Sequence, residues 1–190
     1  MRTIEIKARC ANLDTVRAVL RAHNADFRGT DRQTDTYFRV RHGRLKLREG
    51  RIENCLVYYE REDHVGPRQS DVTLVPTVPG SPLKEILAAA FGVLVVVEKR
   101  REIYFIDNVK FHLDTVAGLG TFVEIEALDR DGAVGKDQLF AQCQLFLDRF
   151  RIAPPDCVAG SYSDLLLSAP RASDSPQATR QTSAEARKTS

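Results

Sequence analysis

Tryptophan is absent from the 190 residues, methionine occurs once, and no two of the four cysteines are spaced as Cys-x-x-Cys. Cys10, Cys55, Cys143 and Cys157 thus form neither a zinc-ligand pattern nor a dense disulfide framework; they read as unpaired thiols of a reducing compartment. Long apolar runs are missing too. The longest, 86–97, is broken by Gly92 and falls short of the ~20 residues that span a bilayer. The charged N-terminus has no signal-peptide core. A soluble, cytoplasmic protein with no membrane partner is the expectation. Excess charge of one sign is lacking as well. The formal net charge of +2 arises in 168–190, where Arg171, Arg180, Arg187 and Lys188 stand against Asp174 and Glu185; this leaves 24 basic and 24 acidic residues in 1–167. A neutral body argues against nucleic acid as a partner. Any positive site must be local.

What is present suffices for one domain: 43% of the chain is hydrophobic. Alternation predicts strands over 2–9, 34–40, 44–49, 53–61, 71–75, 93–106, 109–116 and 121–128, with turns at His42-Gly43, Asp107-Asn108 and Gly118-Leu119-Gly120. Helical spacing predicts helices over 13–23 behind Asn12, from Ser81-Pro82 to Gly92, over 136–150, and near 161–167. Residues 62–69 read as a loop. The Ser/Thr/Ala/Arg-rich stretch from 168 onward reads as a disordered tail. Strands in hairpins with helices between groups predict an α+β fold built on an antiparallel sheet or barrel.

The charges follow the strand period. Successive side chains point to opposite faces. Thr3, Glu5, Lys7 and Arg9 therefore share one face of the first strand, and Ile4, Ile6 and Ala8 the other. Arg44, Lys46 and Arg48 share a face, as do Lys99 and Arg101; Arg61 ends the strand carrying Tyr59. His112 and Asp114 are two apart, and so are Glu124 and Glu126. Two arrangements account for this. A one-sided sheet could carry solvated, salt-bridged charges on its outer face. A closed barrel could turn all these faces inward around a metal-bound polyphosphate, since carboxylates suit hard cations and Arg and Lys suit phosphate. The second also explains why like charges segregate by strand.

Other features are blander. Gly132-Ala-Val-Gly135-Lys136 lacks the spacing and the hydroxyl of a P-loop and reads as a loop into a helix. His112, beside the proposed site, reads as a strand histidine bonded to a neighbour. Ser161-Tyr162-Ser163 reads as a helix cap that could also fold over a barrel mouth.

Taken in order, Ile4-Glu-Ile-Lys-Ala-Arg9, Thr34-Asp-Thr-Tyr-Phe38, Gly43-Arg-Leu-Lys-Leu-Arg48, Tyr58-Tyr-Glu-Arg61, Val97-Glu-Lys-Arg-Arg101, His112-Leu-Asp114, Gly118-Leu-Gly-Thr-Phe-Val-Glu-Ile-Glu126 and Gly160-Ser-Tyr-Ser-Asp-Leu-Leu166 resemble the CYTH family of triphosphate tunnel metalloenzymes. Within it they look most like the class IV adenylyl cyclase branch. The resemblance runs through 1–167. It implies an antiparallel eight-stranded β-barrel or tunnel with helices packed outside, and an enzyme that acts on a small-molecule triphosphate with Mg²⁺ or Mn²⁺. Converting ATP to cyclic AMP and pyrophosphate is the first expectation. Hydrolysis of thiamine triphosphate or inorganic tri- or polyphosphate is the alternative.

Carried residue by residue, Lys7, Lys46, Arg48, Arg61, Lys99 and Arg101 become the triphosphate-binding bases. Glu5, Glu124 and Glu126 become the metal ligands, and Asp114 the catalytic carboxylate. The family's opening Glu-x-Glu-x-Lys departs here, with Thr3 in place of its first Glu. That departure favours one metal over two and leaves room for a noncatalytic polyphosphate- or nucleotide-binding module. The oligomeric state is left open, a homodimer included.

Overall fold

A computed structural model describes residues 2–60 and 65–169. Arg61 and the tail from 170 onward lie outside the described residues, so the expectations attached to them are not met or refused here. The described chain runs β1 (Arg2–Arg9), α1 (Leu13–Ala22), β2 (Asp26–Phe38), β3 (Arg44–Glu49), β4 (Cys55–Glu60), β5 (Arg68–Pro76), α2 (Leu83–Phe91), β6 (Val93–Ile106), β7 (Val109–Val116), β8 (Gly120–Asp129), α3 (Lys136–Phe150) and α4 (Tyr162–Ser168). The strands close into an antiparallel barrel in the order β1-β5-β4-β3-β2-β6-β7-β8, and β8 returns to β1. Closure excludes the one-sided sheet. The charged faces point inward.

The apolar parity of β1 explains which face is outside. Ile4, Ile6 and Ala8 are buried against α1 and α3 together with Phe111, Leu113, Val123 and Ile125 of β7 and β8. Asn12 caps α1 by accepting the Asp14 N–H at 3.0 Å, and the helix lays Leu13, Val16 and Leu20 on this surface. From α3 come Leu139, Cys143, Phe146, Leu147 and Phe150, with Phe146 edge-on to Phe111 at 4.6 Å between centroids. Each such side chain contributes about 1.5–3 kcal/mol when fully buried. The main core thus lies outside the barrel, under two helices, and leaves the interior free to be polar.

Of the boundaries that differ from expectation, three bear on the site. β2 starts eight residues earlier than 34, because the polar stretch from Asp26 pairs continuously with β6, with a shift between Phe27 and Gly29. β5 begins at Arg68, inside the expected loop. Glu53, expected to open a strand, sits instead in the connection between β3 and β4. The Gly43 turn forms as expected, with φ 64° that a side chain would strain. All four cysteines are free thiols. No helix among the described residues is long and apolar enough to cross a membrane.

Candidate triphosphate and metal site

The barrel encloses a cavity of about 730 Å³. Its wall carries the cations Lys7, Lys46, Arg48, Arg101, Lys110 and Arg130, the carboxylates Glu5, Glu124, Glu126 and Asp35, and an apolar side made by Val57, Tyr59 and Val72 of β4 and β5. Cross-strand register explains who meets whom, since directly opposed side chains on one face are nearest neighbours. Asp35 opposes Arg48, Arg101 opposes Asp114, and Glu124 opposes both Lys7 and His112.

Three cations converge on Asp35. Arg48 donates from Nε at 2.9 Å and from a terminal nitrogen at 3.1 Å, Lys46 Nζ donates at 3.1 Å, and Lys99 Nζ at 2.5 Å. Burial alone would raise the Asp35 carboxyl; Arg48, Lys46 and Lys99 together outweigh it and hold the group well below the usual range. Lys99 shares that single carboxylate with other cations. Burial first, then Arg48, Arg101 and Lys46, pull its ammonium down to about 7 in spite of Asp35.

The second cluster joins β1, β6, β7 and β8. Arg101 grips Asp114 with two donors at 2.7 and 2.5 Å and reaches Glu124 at 2.6 Å. Lys7 Nζ lies 2.7 Å from Glu124 and 3.7 Å from the centre of the Tyr162 ring. Although burial opposes ionisation, Lys7, Arg101 and His112 hold Glu124 well below the usual carboxylate range. Asp114 is fully buried behind Arg101 and accepts the Tyr162 hydroxyl at 2.8 Å. It does not line the cavity but stands on Arg101 and Tyr162.

A metal-competent group forms on β7 and β8. His112, Glu124 and Glu126 offer ligand atoms within 4.8 Å of one another. His112 Nδ1 is 3.1 Å from Glu124 and 3.4 Å from Glu126, while its buried Nε2 has no hydrogen-bond partner among the described residues. Burial, then Arg101, lowers the His112 imidazole below its ordinary value. Two carboxylates and a neutral imidazole suit a divalent cation that binds oxygen and tolerates nitrogen. Glu5 opposes Glu126 across the β1–β8 ladder and lines the cavity, where Arg68 stands 3.3 Å from its carboxylate. Thr3, which also lines the cavity, donates to the Ser70 carbonyl at 3.4 Å.

The cavity wall thus gathers Lys7, Lys46, Arg48, Arg101, Glu5, Glu124 and Glu126 of the sequence-derived set. Lys99 and Asp114 stand one layer behind, on Asp35 and Arg101. Sequence reasoning missed Asp35, Glu53, Arg68, Lys110 and Tyr162 as site residues. Lys110 shares the face of His112 and Asp114 by simple parity, and Asp35 that of Tyr37, so the two-residue period could have found both. Tyr162 follows Ser161, whose side chain and Asp164 form the capping box of α4; the cap also aims the phenol into the barrel.

A CYTH domain model matches residues 1–162. No curated protein matches the sequence significantly. Among solved structures, a protein of Pyrococcus horikoshii OT3 is 24% identical, with 86% of this chain and 98% of that one covered at a TM-score of 0.64. A candidate adenylate cyclase of Vibrio parahaemolyticus is 17% identical over 87% and 98% of the two chains, at 0.66. A candidate adenylyl cyclase of Hippeastrum, described as having a dominant triphosphatase activity, is 15% identical over 87% and 94%, at 0.51. At these identities the likeness is one of fold.

Proposed function

The chain belongs to the CYTH domain family, and from that premise we propose that it is an enzyme acting on a nucleoside triphosphate held in the barrel with a divalent metal ion. Conversion of ATP to cyclic AMP and pyrophosphate, as in class IV adenylyl cyclases, is the reading preferred. One observation carries the triphosphate: Lys7, Lys46, Arg48 and Arg101 from three strands line one cavity together with the carboxylates Glu124 and Glu126. Without a ligand these charges satisfy each other at a desolvation cost that a well-packed apolar interior would avoid. A triphosphate would take over the bases, and the released carboxylates would be free for metal.

Each group has a role by position. The Arg48 and Arg101 forks would hold phosphate oxygens, Lys7 and Lys46 would add point charges, and Asp114 with Tyr162 would keep Arg101 oriented. Glu124, Glu126 and His112, with Glu5 at the adjoining position, would hold Mg²⁺ or Mn²⁺. When bound, that ion supplies charge neutralisation and activation of the attacking oxygen. The apolar side of Val57, Tyr59 and Val72 favours an organic triphosphate over an inorganic one, because a base and sugar could rest there.

Hydrolysis is the second reading. It uses the same bases with water as nucleophile, and the Hippeastrum neighbour with dominant triphosphatase activity shares the fold. Product analysis separates them: the protein is incubated with ATP, thiamine triphosphate and tripolyphosphate, with Mg²⁺ or Mn²⁺ and with EDTA. Metal-dependent cyclic AMP and pyrophosphate are expected. Orthophosphate release would replace the cyclase by the triphosphatase, and absence of turnover with every substrate would remove the enzymatic reading.

A further inference from the structure

We propose that Glu53 is a built-in anion that terminates the phosphate track of the barrel and so sets how many phosphates the site accepts. The inference rests on the triphosphate reading above. Glu53 belongs to no strand, yet its carboxylate reaches inward: Oε2 accepts from Arg48 at 2.8 Å and Oε1 from Lys110 Nζ at 2.5 Å. Both cations line the main cavity. Glu53 itself lines a second cavity, at the barrel end beside Asp107 and Asn108, which shares Phe105, Leu128 and Arg130 with the first. The carboxylate therefore stands where the two spaces meet, holding a pair of cations that a further phosphate would otherwise use.

The segment that carries Glu53 is built to stay there. The fully buried Asp31 accepts the Arg51 N–H at 2.7 Å and the Glu53 N–H at 3.1 Å. Gln33 bridges the Asp31 and Glu53 carboxylates, 3.0 Å from each. Asn54 closes the base of the connection by accepting the Gly50 N–H at 3.2 Å and donating to the Gly50 carbonyl at 2.6 Å. Gly50 has no room for a side chain, because a Cβ would collide with the Asp31 carboxylate. A surface connection needs none of these anchors. They fix a negative charge between β3 and β7, which are not neighbours in the barrel.

In this arrangement a triphosphate meets Lys7, Lys46, Arg101 and the inner donors of Arg48, and then runs up against Glu53. A fourth phosphate finds Arg48 and Lys110 already held by Glu53 and a like charge in its way. Removing the charge frees Arg48 and Lys110 as an additional phosphate subsite.

The test is calorimetric binding of linear tripolyphosphate and linear tetrapolyphosphate to the wild-type protein, Glu53→Gln and Glu53→Ala, with melting temperatures recorded for each. Glu53→Gln keeps an acceptor for Gln33, so it guards against loss of the fold. In the wild type tetrapolyphosphate is expected to bind no more tightly than tripolyphosphate. In both variants tetrapolyphosphate should gain at least about tenfold over tripolyphosphate. Wild-type binding of tripolyphosphate with an unmoved ratio in both folded variants would overturn the role of Glu53 alone. Failure of the wild type to bind either compound would overturn the triphosphate reading, and the stop with it.

Discussion

Asp35 lies directly across from Arg48 in the β2–β3 ladder, and its carboxylate takes two donors from that arginine while two lysines close on it from β3 and β6. One buried anion thus meets three cations, and among the described residues the only further carboxylate on them, Glu53, is divided between Arg48 and Lys110. The imbalance is local and lies beside the cavity, where a polyanion would correct it.

Replacing Asp35 by Asn should leave these cations without a full counter-charge. Removal of one member of a buried ion cluster costs about 3–5 kcal/mol. The melting temperature of Asp35→Asn is therefore expected to fall, and tripolyphosphate should raise it by more than it raises that of the wild type. Thermal unfolding with and without the anion checks both; an unchanged melting temperature would show that Asp35 is not the balancing charge.

Lys99 gives a pH signature. Its folded pKa of about 7 lies below the ordinary 10.5, so between these values the unfolded chain binds more protons than the folded one. Stability must then rise with pH across that window, and the cost of burying the ammonium is fully present below pH 7. The slope from this group alone is at most about 1.4 kcal/mol per pH unit. Denaturant unfolding of the wild type and Lys99→Met from pH 7 to 10 should show the increment in the wild type only.

Glu124 serves two masters. It accepts Lys7 and Arg101 and belongs to the metal-competent group with His112 and Glu126. Glu124→Gln should weaken Mn²⁺ binding in the presence of tripolyphosphate by at least about tenfold, since a hard cation loses a charged oxygen ligand. A Mn²⁺ titration identical to that of the wild type would remove Glu124 from the ligand set.

Much of this architecture is written in the two-residue period. Ile4, Ile6 and Ala8 against Glu5 and Lys7 give both the inward and the outward face of β1, and the like-charged rows of β3 and β6 follow the same rule. Two things escaped it. The first half of β2 is polar and holds Gly29, and only its long pairing with β6 makes it a strand. The pairings of the counter-charges escaped as well, because each runs across a ladder or onto a connection. Asp35 faces Arg48 from the next strand, and Glu53 reaches Lys110 over 57 residues of sequence. Ring closure likewise rests on the non-local β1–β8 pairing, in which Glu5 meets Glu126. Local periodicity shows which face a charge takes, whereas its partner depends on the register of distant strands.

The most direct measurement is calorimetric titration of tripolyphosphate into the wild type, Arg48→Ala and Arg101→Ala. One site per chain is expected in the wild type, and affinity at least about tenfold weaker in each folded variant, since a charge-assisted hydrogen bond contributes about 1.5–3 kcal/mol. Equal affinity in all three proteins would contradict a triphosphate site inside the barrel.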